Sequence, residues 1–468
     1  VLKCHWNEYL RLSAMVNLYY NYIEESMFVP GVTSHAVMPQ YYGYGKNYVA
    51  QGVTRQHSNT YQLRADYNRV FNHVHELKSY FTARMFTHSL EYDISSGYNT
   101  ANDYYQTLDK TTDEKNTVGD NIEWNYLGFT LHGDYTYNRI LRASANVAAD
   151  ATSASGTDAS RLAIFPSGGI TFLAANTGVL PTWIDKLNVS LDASLSGNSR
   201  FSSNYGKNYY TTSNFFSIGA IKRSNVPNTK LTWEKNRQLD LALDFGMLGN
   251  RINLGVNLFS NYAYDLLLNS NISKVYGSTY YYENSGEISG KGVEVSLRVN
   301  PVHTHDFDVV LGATLSTVKN TLKKLGESSF EEIKFSDYNG DDAEVIMQVG
   351  SNPYEFYGYQ TNGIYTTTAE AQEAKLTNAS GKSYEAGDVR FVDQNHDGVI
   401  NSYDKVSIGK ATPDIYGGVN LMLRYRQVSL DANFGYCVGN KAYNATRRLL
   451  ESMSAFYNQS TAVLNRWQ

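Results

Sequence analysis

The sequence predicts an all-β fold, part of an antiparallel transmembrane β-barrel with long extracellular loops. Three observations lead to this prediction. Long stretches alternate apolar and polar residues with a period of two, as expected for strands with one apolar face. No run of 18 or more apolar residues occurs, so no transmembrane helix is expected. Short and long connections alternate between the predicted strands, as they do in outer-membrane barrels.

The clearest pair of strands lies at 236–269. Apolar and polar residues alternate up to Phe245, and the alternation resumes at Ile252. Gly249-Asn250 separates the two runs and is a hairpin signal. Each run has at least the ~9–11 residues that a tilted strand needs to cross a bilayer. The polar positions carry Asp and Asn, so we expect one lipid-facing side and one wet side.

The other strands are predicted in the same way, in chain order. Residues 1–58 indicate only an uncertain strand and loop, and residues 59–468 are assigned to the barrel. Residues 178–187 predict a short amphipathic helix between two strands. The further strands are expected near 61–71, 77–94, 121–136, 139–150, 161–174, 187–196, 290–300 and 306–319, with a last hairpin at 415–436.

The connections form two classes, which predict the orientation in the membrane. The short set comprises 72–75, 137–138, 249–250, 301–305 and 426–427. The long set comprises 94–118, 198–234, 269–288, 440–468 and the extended insertion 321–413. Outer-membrane barrels have short periplasmic turns and long extracellular loops, so we expect the long set to face the exterior. A large soluble β-protein is the alternative.

The composition narrows the function classes. Tyr is unusually common at 39 residues, which suits both membrane–water interfaces and wet binding surfaces. The net charge of −5 argues against a nucleic-acid partner. The sequence contains no nucleophile-elbow, zinc-protease or P-loop motif, so we expect no enzyme and no catalytic residues.

Aromatic residues in the predicted loops are candidates for contacting a sugar or peptide ligand. An interfacial aromatic girdle explains the same residues equally well. The candidates are Tyr205, Tyr209, Tyr210, Trp233, Tyr280, Tyr281 and Tyr282.

Residues 393–404, DQNHDGVINSYD, have the spacing of a calcium-binding loop. Oxygen ligands are expected at loop positions 1, 3, 5, 7, 9 and 12, with Gly at position 6 for the sharp turn. Gly398 occupies position 6. The alternative to a calcium site is an Asp/Asn/Gly turn that binds no ion. We predict a structural Ca²⁺ that rigidifies the insertion. The predicted ligands are Asp393, Asn395, Asp397, the Val399 carbonyl, Asn401 and Asp404.

Four stretches resemble the SusC-like branch of the TonB-dependent outer-membrane transporters. They are 227–268 (PNTKLTWEKNRQLDLALDFGMLGN and the strand after it), 283–302 (ENSGEISGKGVEVSLRVNPV), 356–367 with 387–421, and 443–468. The resemblance implies a plugged barrel of roughly 22 strands in the outer membrane of a bacterium. It also implies a SusD-like surface lipoprotein as partner and energy supplied through TonB. The family's plug and TonB-contacting segments precede the barrel and are not recognised in this chain.

The sequence and the resemblance together favour active import of an oligomeric nutrient, with a glycan preferred over a peptide. A passive porin is one rival, and a surface binding or adhesin barrel without transport is another. A plug-sized domain encoded upstream of Val1 would remove the porin.

Overall fold

The computed structural model describes residues 1–31, 47–201, 203–215, 218–223, 225–278, 280–326, 330–336, 342–453 and 458–467. Parts of the predicted segments 1–58, 198–234, 269–288, 321–413 and 440–468 therefore lie outside the described residues. The chain divides into two compact units. Unit 1 comprises Val1–Asn176, Asp192–Arg237 and Asp265–Asn284, and unit 2 comprises Thr177–Leu191, Gln238–Tyr264 and Ser285–Gln468.

The structure is dominated by antiparallel strands, which confirms the predicted fold class. The strands in the first half of the chain are β1 (Leu2–His5), β2 (Leu10–Val29), β3 (Tyr48–Phe71), β4 (His75–Tyr98), β5 (Asp113–Tyr137), β6 (Leu141–Thr152), β7 (Leu162–Leu173), β8 (Ile184–Asn198), β9 (Tyr210–Phe215), β10 (Ile218–Arg223), β11 (Glu234–Met247) and β12 (Ile252–Asn271).

The remaining strands include the short ones of the insertion. They are β13 (Tyr280–His303), β14 (Phe307–Leu325), β15 (Phe330–Ser336), β16 (Asp342–Gln348), β17 (Glu355–Tyr359), β18 (Thr361–Ile364), β19 (Thr377–Asn378), β20 (Val389–Phe391), β21 (Val399–Ile400), β22 (Lys405–Lys410), β23 (Ile415–Tyr425) and β24 (Val428–Val438). In the part of the chain that the structure describes, the α-helices are α1 (Thr368–Ala374) and α2 (Ala445–Glu451). Among the described residues, no helix has both the length and the apolarity that a membrane span requires.

Within the described residues the main sheet has 14 strands, in the order β1 to β8, β11 to β14, β23 and β24. Sequence neighbours pair as hairpins along most of this order. The insertion between β14 and β23 contributes a separate four-stranded sheet in the order β15-β16-β17-β22.

The hairpin turns require left-handed backbone, and the sequence places tolerant residues there. In the turn between β11 and β12, Gly249 has a φ of 68° and Asn250 a φ of 58°. Asn138 between β5 and β6 has a φ of 46°, and Asn72 between β3 and β4 has a φ of 49°. Gly and Asn adopt this conformation at low cost, and the structure has turns at these three predicted places. His73, Arg139 and Leu248 in the same turns also have positive φ. The turn predicted at 301–305 begins later, because β13 continues to His303.

Two expectations need correction. Residues 178–187 do not form a helix: Pro181 cannot donate a backbone hydrogen bond, the N–H of Ile184 donates to its carbonyl, and β8 begins at Ile184. The long connections at 94–118 and 269–288 are shorter than predicted. The neighbouring strands continue to Tyr98 and Asn271 because paired polar residues extend the hydrogen-bonded ladder.

The register in unit 1 separates the side chains onto two faces. Directly opposed residues in an antiparallel sheet point to the same side. One row across β2 to β7 reads Leu12, Ala65, Phe81, Leu131, Val147 and Pro166. The adjacent row reads Arg11, Asp66, Tyr80, His132, Asn146 and Ser167. We call the sides represented by these rows the apolar face and the polar face of unit 1.

Unit 2 repeats this division in the strands near its C-terminal end. One row across β13, β14, β23 and β24 is Leu297, Ala313, Val419 and Phe434, and the next is Arg298, Gly312, Asn420 and Asn433. Phe434 is 67% exposed, as expected for a side chain that contacts lipid. Buried apolar residues occur outside these rows, including Leu231 and Trp233 in unit 1 and Tyr365 and Ile400 in unit 2.

Candidate functional site

An aromatic cluster lies on the polar face of unit 1. It consists of Phe86 on β4 and of Trp124 and Tyr126 on β5. The ring centroids of Phe86 and Trp124 are 5.1 Å apart, and those of Trp124 and Tyr126 are 6.1 Å apart with an interplanar angle of 28°. The alternation of β5 places Trp124 and Tyr126 on one side, two residues apart. The cluster thus presents a continuous aromatic surface beside polar groups.

Hydrogen bonds to β6 hold the cluster in place. Trp124 Nε1 donates to Thr152 Oγ1 at 2.9 Å, and the hydroxyl of Tyr126 donates to Asp150 Oδ1 at 2.6 Å. Gly128 leaves room for the second contact, because a Cβ atom there would clash with both the hydroxyl and the carboxylate. The indole N–H of Trp124 and the hydroxyl of Tyr126 therefore both have hydrogen-bond partners within the protein.

The cluster lines a cavity of about 480 Å³ within unit 1. Charged groups from three segments enter it: Arg84 from β4, Asp150 from β6 and Arg200 from the segment after β8. The Nε of Arg84 donates to the neutral amide of Gln62 at 3.3 Å, and Arg84 is close enough to Asp150 to stabilise its carboxylate. The guanidinium of Arg200 forms no ion pair with any residue that the structure describes. The cavity thus combines an aromatic wall with an uncompensated cation.

The sequence prediction missed this site, although one signal was available. Arg84 and Phe86 alternate along β4, and Trp124 and Tyr126 alternate along β5, all in the polar phase of the strand pattern. Aromatic residues in the polar phase cannot serve a lipid-facing girdle. The contribution of Asp150 depends on cross-strand register, which the local pattern does not reveal.

The structure brings some of the predicted ligand-contacting residues together. The rings of Tyr205 and Tyr282 stack with centroids 3.8 Å apart and an interplanar angle of 16°. Tyr280 meets Tyr282 edge-on at 5.9 Å. The hydroxyl of Tyr281 donates to Glu283 Oε2 at 2.8 Å, within its own strand.

The other predicted residues lie apart from this tyrosine stack. The hydroxyl of Tyr209 donates to Asp120 at 3.2 Å, and Tyr210 begins β9. Trp233 is only 3% exposed, lines the cavity, and packs edge-on against Phe165 at 5.3 Å. Trp233 is thus the predicted residue that belongs to the cavity, and ligand contact by the whole set stays a prediction.

The predicted calcium loop is a tightly hydrogen-bonded turn in unit 2. The carboxylate of Asp393 accepts the backbone N–H of His396 at 2.7 Å and of Gly398 at 2.9 Å. Asp397 Oδ1 accepts the N–H of Val399 at 2.7 Å, and Asn395 Oδ1 accepts the N–H of Asp397 at 3.1 Å. Gly398 has a φ of 81°, which explains the glycine at this position.

Asp404 closes the loop from a fully buried position, at 0% exposure. Its Oδ1 accepts the N–H of Gln394 at 2.9 Å, and its Oδ2 accepts the N–H of Asn401 at 2.8 Å. Burial alone would raise the pKa of this carboxyl group, but these N–H donors outweigh burial and hold the pKa below its ordinary value. The carboxylate therefore remains ionised inside the loop.

The metal-binding set stays a prediction. Within the described ranges, no group of three or more His, Cys, Asp or Glu side chains is arranged to hold a metal ion. The predicted set contains three aspartates, and its other ligands are amide and carbonyl oxygens.

The comparison with protein families identifies the chain. The model described as TonB dependent receptor-like, beta-barrel matches residues 5–435. The chain belongs to this family. Its members are receptors and transporters of the outer membrane and are not enzymes, which agrees with the expected location and class.

Individual members of the family are similar over part of their length. TonB-dependent receptor P3 of Formosa agariphila is 29% identical over 324 residues, covering 66% of this chain and 31% of that protein. TonB-dependent receptor SusC of Bacteroides thetaiotaomicron is 27% identical over 276 residues, covering 56% and 25%. The chain thus spans about a third or less of these TonB-dependent receptors.

A solved structure of the RagAB peptide transporter superimposes with a TM-score of 0.81 at 20% identity, covering 100% of this chain and 50% of that chain. The likeness shows the fold. The predicted SusC-like TonB-dependent barrel is confirmed.

Proposed function

We propose that this chain is part of the barrel of an active importer that carries an oligomeric nutrient, a glycan in preference to a peptide, across the outer membrane. A SusD-like surface lipoprotein captures the ligand, and TonB supplies the energy through segments outside this chain. The mechanism is non-covalent. The glycan preference rests on the aromatic cluster, since a sugar ring packs its apolar face on an aromatic ring.

The observation that supports import is the two-faced sheet of unit 1. The apolar row contains Phe81, Leu131 and Val147, and the adjacent polar row contains Asp66, Tyr80 and His132. In an outer-membrane barrel the polar face lines the aqueous interior. A polar face with aromatic and charged groups suits a path that contacts its cargo.

Peptide import is the nearest rival, because the RagAB structures are described as a peptide transporter. Peptides also bind to aromatic and charged surfaces. At 20% identity the substrate named for RagAB does not extend to this chain. The rival is therefore distinguished by experiment.

The test is deletion of the full-length gene followed by uptake of labelled oligosaccharides and peptides by cells. We expect loss of at least one oligosaccharide, restored by the intact gene and abolished by a protonophore. Uptake that persists with the protonophore favours a passive porin. Surface binding without accumulation favours an adhesin. If uptake of every large nutrient is unchanged, the proposal fails.

We also propose that residues 393–404 bind a structural calcium ion. Asp393, Asn395, Asp397, the Val399 carbonyl, Asn401 and Asp404 supply oxygen at the spacing that calcium loops use. Asp404 supports the proposal because it closes the loop at position 12 with a fully buried carboxylate, the position at which calcium loops use an acidic side chain. Resistance of the insertion to protease, with and without a chelator, tests the site.

A further inference from the structure

We propose that the cavity beside the aromatic cluster of unit 1 is a subsite for an acidic sugar residue, one that carries a carboxylate or a sulfate ester. The sugar ring lies against Trp124, and the acidic group pairs with Arg200. The inference rests on the proposed import function and specifies the ligand class for this cavity.

The size of the cavity fits a small ligand segment. At about 480 Å³ it lies within the range of small-molecule sites, about 300–1,000 Å³. Its wall includes Phe86, Trp124 and Tyr126, together with the buried ring of Trp233. These rings share the lining with polar and charged side chains, so the cavity suits a ligand that has both an apolar surface and polar groups.

The aromatic wall is preorganised. The hydrogen bonds of Trp124 to Thr152 and of Tyr126 to Asp150 fix both rings before any ligand arrives. A ligand that packs against these rings therefore does not bear the entropy cost of ordering them. It also competes with neither hydrogen bond when it contacts the ring surfaces alone.

The charges in the cavity favour an anion. Arg84 and Arg200 contribute two guanidinium groups to the lining, and Asp150 contributes one carboxylate, so positive charge is in excess there. Arg200 is exposed and forms no ion pair within the described part of the chain. A guanidinium group recognises carboxylate and sulfate oxygens through paired N–H donors, so Arg200 is the group that selects an acidic ligand.

The rim of the cavity suits a sugar better than a peptide side chain. Asn17 and Thr60 present an amide and a hydroxyl group from β2 and β3. A sugar ring offers one apolar surface and a border of hydroxyl groups that these side chains can bind. An acidic peptide supplies the charge but has few hydroxyl groups for the rim.

The experiment measures binding by the purified full-length transporter in detergent. The probes are trigalacturonate, its fully methyl-esterified form, a sulfated trisaccharide, neutral maltotriose and a triglutamate peptide. We expect at least one acidic sugar to bind about tenfold more tightly than its neutral counterpart, the amount a charge-assisted hydrogen bond contributes.

Three variants assign the effect to the cavity. Arg200→Gln removes the charge and is expected to reduce the affinity for the acidic sugar to that of the neutral form. Trp124→Leu is expected to weaken the binding of both the acidic and the neutral sugar. Arg142→Gln is the matched control, because Arg142 is an exposed arginine on the polar face of β6 that does not line the cavity. Heat-modifiable mobility on gels verifies that each variant is folded.

Three results would overturn the subsite: equal binding of acidic and neutral sugars, preference for the triglutamate peptide, or unchanged binding by a folded Arg200→Gln variant. Accumulation of the same probes in energised cells is measured in parallel. Accumulation without binding preference for acidic sugars removes the subsite and leaves the import function. Preferential binding of acidic sugars without accumulation in energised cells leaves the subsite and removes the import function.

Discussion

The hydroxyl of Tyr126 donates a 2.6 Å hydrogen bond to Oδ1 of Asp150 on the adjacent strand. This bond fixes one wall of the cavity and provides a partly buried carboxylate with a donor. Because cross-strand bonds of this kind depend on register, the bond also reports whether β5 and β6 are correctly paired.

Tyr126→Phe is expected to destabilise the folded protein by about 1.5–3 kcal/mol, the value of a hydrogen bond to a charged group. The measurement is urea unfolding of the detergent-solubilised protein. Tyr61→Phe is the control, since Tyr61 lies on the apolar face and its hydroxyl has no hydrogen bond to a described residue. Equal effects of the two substitutions would contradict the role of the bond.

Gly128→Ala is expected to break the same hydrogen bond from the other side. The added methyl group would displace the Tyr126 hydroxyl and the Asp150 carboxylate, both at the ends of their side chains. Gly133→Ala on the same strand is the control, because its Cβ would meet no atom within 4 Å. The loss of stability from Gly128→Ala should be smaller in a Tyr126→Phe background, because the hydroxyl that the methyl group meets first is then absent. Simple additivity would show that Gly128 acts elsewhere.

The hairpins were predictable because their determinants are local. Gly249-Asn250 supplies the turn, and the alternation on either side supplies the two strands. The polar side of the sheet was predictable for the same reason. The helix expected at 178–187 was wrong because periodicity over ten residues did not outweigh Pro181 and the pairing of β8.

The cavity was not predictable, because its parts are joined by register. Trp124 and Tyr126 are visible as alternating aromatics, but Asp150 and Arg200 reach them from other segments. The stack of Tyr205 and Tyr282 has the same origin, because nothing in the sequence indicates that their rings meet. The sequence predicts a loop at both positions, whereas Tyr282 lies in β13.

Acid is expected to loosen the loop at 393–404. The N–H donors of Asn401 and Gln394 hold the pKa of Asp404 below the ordinary 3.8, so the folded loop binds a proton less readily than the unfolded chain. The resulting stability is present above pH 3.8 and is lost as the pH falls through the lower, folded-state pKa. Proteolysis by pepsin across this range, with a chelator present, measures the transition. Asp404→Asn should reduce the dependence of the cleavage rate on pH. An unchanged pH dependence in this variant would refute the assignment to Asp404.

Calcium is expected to protect the same loop at neutral pH. A site with a dissociation constant on the order of 10⁻⁴–10⁻³ M is filled at extracellular calcium concentrations. Asp397→Ala should abolish the difference in protease resistance between calcium and chelator. Asp388→Ala is the control, because Asp388 accepts a backbone N–H in a nearby turn outside the loop. Equal protection of wild type and Asp397→Ala, with and without chelator, would exclude the ion.

The orientation of the strands predicts which connections an external protease reaches. The short turns at 249–250 and 301–305 should face the periplasm, and the connections at 198–234, 269–288 and 321–413 should face the exterior. A protease site inserted beside Gly249 should resist cleavage in intact cells, whereas one beside Gly381 should be cut. Both glycines lie in left-handed turns with no atom within 4 Å of an added Cβ, so both turns are open to solvent or lipid-free space at this point. Permeabilised cells should show cleavage at both positions, which verifies that each site is accessible to the protease. Cleavage beside Gly249 in intact cells would show that the short turns face the exterior, which contradicts the predicted orientation.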